Sequence, residues 1–156
     1  MSESPAQPLS KPEPDYEQHP ILRKLRASSI PAANLIGVVP GPIAHGRATM
    51  ELQTGPQHTN PMGTVHGGIL CDLADSAMGI AFATTLDPTQ TFTTLEIKIN
   101  FLRPVWSGRL RALGRVVRPG RTISLVECDV LDDQDRLVAR ASSTCMTLRG
   151  TAAEGR

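Results

Sequence analysis

The hydrophobic pattern changes period twice along the chain. Over residues 68–85, Ile69, Leu70, Leu73, Ala74, Ala77, Ile80 and Ala81 form one helical stripe, and the far side carries Asp72, Asp75, Ser76, Gly79 and Ala83. A helix that is small or apolar nearly all round belongs in an interior. Ahead of it, Ala48, Met50 and Leu52 alternate with Thr49, Glu51 and Gln53, the period of a strand with one face inward. The run NLIGVVPG precedes that strand and also reads as β, with Pro-Gly-Pro and His-Gly as the turn between the two. Residues 54–65 hold Gly55, Pro56, Pro61 and Gly63 and read as loop. After LDPTQ the chain reads as four strands. TFTTLEIKINFLRPV sets Leu95, Ile97, Ile99 and Phe101 on one side, and GRLRALGRVVR, TISLVECDVLD and RLVARASSTCMTL follow, joined by Pro-Gly-Arg and Asp-Gln-Asp turns. Short turns between long runs predict an antiparallel meander.

Two strands, one long helix and four strands give an α+β fold. Nothing else in the chain is able to cover the helix, so the sheet is expected to wrap around it. Residues 16–27 (YEQHPILRKLRA) add a short amphipathic helix starting near Pro20. Residues 1–15, rich in Pro, Ser, Lys and Glu, predict a disordered tail, residues 16–149 a single domain, and residues 150–156 a frayed end.

Composition narrows the function. A net charge of +1 and 3% aromatics leave neither the basic field nor the stacking platforms that nucleic-acid binding needs. The longest apolar stretch, near residues 77–83, falls far short of the ~20 residues that span a bilayer, and the N-terminus has no apolar core of a signal peptide. Cys71, Cys128 and Cys145 are scattered among apolar neighbours without metal or redox spacing, which predicts reduced thiols and a cytoplasmic location. Histidines at 19, 45, 58 and 66 make no metal site, and no phosphate-binding or serine-hydrolase motif occurs. No metal and no cofactor are expected.

The candidate chemistry lies in residues 60–79, NPMGTVHGGILCDLADSAMG. Gly67 and Gly68 stand where loop becomes helix. The first N–H groups of a helix lack internal partners and sit at its positive end, where they polarise a carbonyl and stabilise an oxyanion. The glycines could equally just permit the turn. Asp72 and Asp75 follow on one face. A carboxylate in an apolar helix is costly without partners, and Asp72, nearer the helix start, has the better structural reason to be there. His66 fits either a general base or a turn-stabilising ring, and Asn60 either a turn or a carbonyl-binding amide.

This stretch resembles the hotdog-fold acyl-CoA thioesterases, closest to the phenylacetate-pathway and human thioesterase-superfamily-member-2 types. Asn60, His66, Gly67 and Asp75 hold the family spacing as a set, and the likeness runs over roughly residues 35–148. The resemblance implies a sheet wrapped around a central helix, a homodimer commonly paired into a homotetramer, and active sites at the dimer interface. One subunit would supply Asn60, His66 and Gly67, and the other Asp75. Gly67 would donate its N–H to the thioester carbonyl, Asp75 would act as nucleophile or general base, and Asn60 would hold the carbonyl or the water. Thr94 falls where a relative has a water-positioning serine, although loop lengths before it differ by about one residue. Arg118 and Arg121, flanking Pro119-Gly120, and Arg103 are candidates for the CoA phosphates. The resemblance thus implies hydrolysis of acyl-CoA, and few aromatics with several methionines (Met62, Met78, Phe82 and Phe92 as candidate lining) suit aromatic or medium-chain acyl groups. An acyl-CoA sensor without turnover would need a DNA-binding segment that residues 1–34 do not offer, and a hotdog hydratase would want an acid where His58 stands.

Overall fold

The computed structural model describes Arg23 and residues 30–154. Of the helix expected over 16–27 only Arg23 is among them, and it is helical. The rest of that helix and the 1–15 tail lie outside the described residues.

The central element is helix α2 (Gly67–Ala83), and a short helix α1 (Pro31–Ile36) precedes the sheet. The strands are β1 (Val38–Ala44), β2 (Arg47–Gln53), β3 (Thr91–Phe101), β4 (Arg109–Arg118), β5 (Ile123–Leu131) and β6 (Leu137–Leu148). They form one antiparallel sheet in the order β1-β2-β4-β5-β6-β3, curled around α2, which touches all six strands. The wrapping is what the all-round apolar helix required, and it is the hotdog arrangement that the resemblance implied. Leu73, Ala74, Ala77 and Met78 are fully enclosed against Leu52, Leu110, Ala112, Val126 and Val138, among others, and Ala81 packs with Ile43 and Ala48. Full burial of one such Leu or Met side chain contributes roughly 1.5–3 kcal/mol. Close seating of helix on sheet depends on Gly114 in β4, where a Cβ would lie 2.3 Å from the carbonyl oxygen of Ala77. Among the described residues no helix is long and apolar enough to cross a membrane.

Four expectations are corrected. Asn34, Leu35 and Ile36 are helical, not extended: Pro31 starts α1, and the Gly37 N–H closes it by donating to Ala33 O. Pro40-Gly41-Pro42 is no turn but lies inside β1, at a register shift, where an edge strand tolerates the missing N–H donors. The turn is His45-Gly46 alone.

The third correction concerns β3. It does not pair with β4 but crosses to the far edge, beside β6. Strand β2 is already paired with β4, and α2 (about 25 Å long for its 17 residues) carries the chain across the sheet between β2 and β3. Only β4, β5 and β6 form a meander. Within β3 the register shifts between Thr94 and Glu96, so Leu95 is an extra residue and is half exposed, while Ile97 and Ile99 pack against the core. Residues 150–153, expected to fray, form a 3₁₀ turn.

Candidate active site

The loop before α2 is built by its own polar side chains. Asn60 Oδ1 accepts from the N–H groups of Met62 (2.9 Å) and Thr64 (3.2 Å), and its Nδ2 donates to Thr64 Oγ1 at 2.8 Å. The Asn60 amide is therefore engaged in shaping the loop. His58, buried, accepts from Gly55 N–H at Nδ1 (2.9 Å) and lies 2.8 Å from Ile36 O through Nε2. With Nδ1 accepting, Nε2 carries the proton and donates. This ring ties the loop to the end of α1, a role that no local signal in the sequence announced. The loop is fixed further by Val65 N–H donating to Val105 O.

His66 is the N-cap of α2, and its Nδ1 accepts from Gly68 N–H at 2.9 Å. The Ile69 and Leu70 N–H groups turn back to His66 O. Of the first four N–H groups of the helix, Gly67's is left without a partner among the described residues, at the positive end of the dipole. His66 Nδ1 is occupied as an acceptor, so the ring caps the helix start through that nitrogen.

Gly67 is glycine for a reason other than substrate approach alone. A Cβ there would fall 2.8 Å from Cζ of Phe101, the last residue of β3, whose ring rests on the glycine. Phe101 remains 55% exposed. In the sequence Phe101 is one more apolar position on a strand face, because nothing local links residues 67 and 101.

Asp75 lies two turns into α2, half-buried, and its Oδ1 accepts from Thr94 Oγ1 at 3.3 Å. The β3 bulge follows Thr94 directly. Burial lifts Asp75 above the ordinary carboxylate range, and the Thr94 hydrogen bond pulls part of that back. Asp72 is also lifted, by burial first and by the Asp75 charge second, and its Oδ2 is buried with no hydrogen-bond partner. Two carboxylates three residues apart thus differ: Asp75 has a donor aimed at it, and Asp72 Oδ2 has none. Cys71 and Cys145 stand near the pair, but burial, the largest cause in each, raises both thiols, so neither is an activated nucleophile. No group of three or more candidate metal ligands occurs among the described residues.

The predicted residues do not all meet within one chain. Gly67 and Asp75 are eight residues apart on one helix, about 12 Å along its axis. Thr94 joins Asp75, and His66 joins Gly67. Arg118 and Arg121 flank the exposed β4–β5 turn, while Arg103 lies past the end of β3, at the opposite end of the sheet. Pro119 and Gly120 line a cavity of about 430 Å³ at the C-terminal end of α2, together with Arg47, Asp87 and Arg149. Of the candidate acyl-lining residues, Met78 and Phe82 are core, Met62 is exposed, and Phe92 packs edge-to-face on Phe82, with its ring over Gly79.

Comparison with known proteins gives a consistent set. A thioesterase-superfamily family model matches residues 62–139. A Saccharolobus solfataricus protein named as a candidate esterase is 36% identical over 104 residues, 67% of this chain and 74% of that protein. The 1,4-dihydroxy-2-naphthoyl-CoA hydrolase of Listeria monocytogenes is 26% identical over 109 residues, 70% of this chain and 89% of that enzyme. The solved structure of a phenylacetic acid degradation-related protein from Ralstonia eutropha, named as a candidate thioesterase, superposes with a TM-score of 0.73 at 32% identity, covering 80% of this chain and 97% of that one.

Proposed function

The chain belongs to the thioesterase superfamily, and from that premise we propose that it hydrolyses acyl-CoA thioesters to the free acid and CoA at a site shared by two copies. The observation that carries this reading is the unclaimed Gly67 N–H at the start of α2, with the Thr94-held carboxylate of Asp75 on the same helix but about 12 Å away. A carbonyl within 3 Å of the first group is out of direct reach of the second in one chain, so two copies complete the site. The long edge strand β3 supplies the means, since an edge presents unpaired backbone groups, and it is assigned to antiparallel pairing with a second copy of itself. Such pairing carries the helix start of one copy toward the Asp75 side of the other, and the Arg103 end of one sheet toward the Arg118 and Arg121 turn of the other. Those three arginines, with the cavity beside Pro119 and Gly120, are assigned to the CoA phosphates. The pair of copies is assigned to a tetramer built from two such dimers.

Gly67 N–H donates to the thioester oxygen as it gains charge. Ionised Asp75 either takes a proton from water as the water oxygen attacks the carbonyl carbon, or attacks that carbon itself to form an anhydride that water then opens. In both routes the C–S bond breaks and CoA leaves as a thiolate that regains a proton. One oxyanion donor of this kind is worth about 10²–10³ in kcat. Asn60 and His66 hold the loop and helix start that aim Gly67, and Thr94 orients Asp75 and the water. Aromatic or medium-chain acyl groups are the proposed substrates, a reading supported by the naphthoyl-CoA and phenylacetic acid names of the relatives.

The test is release of CoA thiol from a panel of aryl and aliphatic acyl-CoAs by the wild type and by Asp75→Asn. Turnover that collapses in the variant while acyl-CoA still binds is expected. Binding without turnover of every substrate by the wild type would overturn the enzymatic reading, and undiminished turnover by the variant would remove Asp75 from the site.

A further inference from the structure

We propose that Phe101 is a specificity-determining residue of this site, selecting acyl groups that carry an aromatic ring close to the thioester; the inference rests on the thioesterase reading above. The ring of Phe101 lies against the position a Gly67 side chain would occupy, 2.8 Å from where the Cβ would stand. Gly67 is the first residue of α2, so the ring stands beside the helix start. The unclaimed Gly67 N–H lies at that same end. A carbonyl accepting from that N–H therefore brings its α-carbon substituent alongside the aromatic face or edge.

The ring is not there to fill the core. It is 55% exposed and is absent from the buried cluster that Ile97 and Ile99 of the same strand pack against. The backbone that carries it is nevertheless held. Phe101 pairs with Ala139 in β6, the following residue Leu102 donates its N–H to Val138 O, and Val65 N–H binds Val105 O, fastening the segment after β3 to the loop before α2. Gly67 completes the arrangement, since any side chain there would displace the ring. A large aromatic surface beside an oxyanion donor suits a planar aryl group, which it meets offset-stacked or edge-on. A saturated chain gains apolar contact there but not the aromatic term.

The experiment compares kcat/KM for benzoyl-CoA and hexanoyl-CoA in the wild type, Phe101→Leu and Phe101→Tyr, with oligomeric state checked by size-exclusion chromatography. Leucine keeps apolar bulk and removes the ring, and tyrosine keeps the ring. The expected result is a fall in the aryl-to-alkyl ratio of about 2- to 12-fold in Phe101→Leu, the range an aromatic pair contributes, with the ratio held in Phe101→Tyr. A ratio unchanged in Phe101→Leu, or lowered equally in Phe101→Tyr, would overturn the assignment while leaving the thioesterase reading intact. No CoA release by the wild type from either substrate would overturn both.

Discussion

Thr94 reaches from the edge strand β3 to the central helix and donates its hydroxyl to Asp75 at 3.3 Å, immediately before the bulge at Leu95. The bond opposes the effect of burial, which lifts the Asp75 carboxyl. Asp75 must be ionised to act, so activity is expected to rise with pH through an acid limb placed above the ordinary carboxylate range of about 4. Thr94→Val removes the stabilising donor and leaves the burial, so the limb should move to higher pH. The kcat/KM pH profiles of the two proteins measure this, and a limb that stays put or moves down would contradict it.

Asp72 is expected to behave differently from Asp75. Its folded-state carboxyl is raised, by burial and then by the Asp75 charge, so the linked stability is present below the unfolded value near 4 and lost as pH rises through the folded value. Asp72→Asn removes that loss. Its melting temperature relative to wild type should therefore increase as pH rises across the window just above about 4, with CoA release retained. Loss of turnover in this variant would point to Asp72 as the acting acid.

His66 is assigned to capping and not to proton transfer, because its Nδ1 is engaged with Gly68 N–H. His66→Ala should lower stability by about 0.5–2 kcal/mol, the range for lost N-caps, and misplace Gly67 enough to slow turnover. Asn is among the best N-cap residues, so His66→Asn should restore both. Urea unfolding and steady-state kinetics on the two variants decide it: stability restored without turnover would indicate a chemical role for the ring.

Gly114 fixes how closely the helix sits on the sheet. Gly114→Ala would place a methyl 2.3 Å from Ala77 O, a backbone atom unable to swing aside. A loss of at least about 1–3 kcal/mol is expected by denaturant unfolding, typical of overpacked cores.

The central helix, the strand periods and the loop-to-helix junction were legible because each is a local pattern: period 3.6 from Ile69 to Ala81, period 2 from Ala48 to Gln53, and Gly67-Gly68 after His66. What escaped was long-range. The place of β3 at the far edge follows from β2 having already paired with β4, which no stretch of β3 records. Asn34 to Ile36 carry apolar residues too few to distinguish helix from strand, and only Pro31 and Gly37 bracket them. The contact between Phe101 and Gly67, the buried ring of His58 and the partnerless Oδ2 of Asp72 join or isolate residues far apart in sequence. For Asp75 over Asp72, residue type and spacing gave only a slight preference, and the resemblance supplied the rest.

The shared site is tested most directly by mixing two variants, each inactive alone. Asp75→Asn removes the carboxylate. Gly67→Pro removes the N–H at a first helical position, where proline keeps the backbone shape and His66 is already extended (φ −64°, ψ 137°), and the exposed Phe101 ring is free to turn aside. Co-expression should return about a quarter of wild-type activity, since about half the dimers are mixed and each holds one site free of both lesions. Mixed dimers that form, as seen by native mass spectrometry, and yet release no CoA would contradict a site built from Gly67 of one copy and Asp75 of the other.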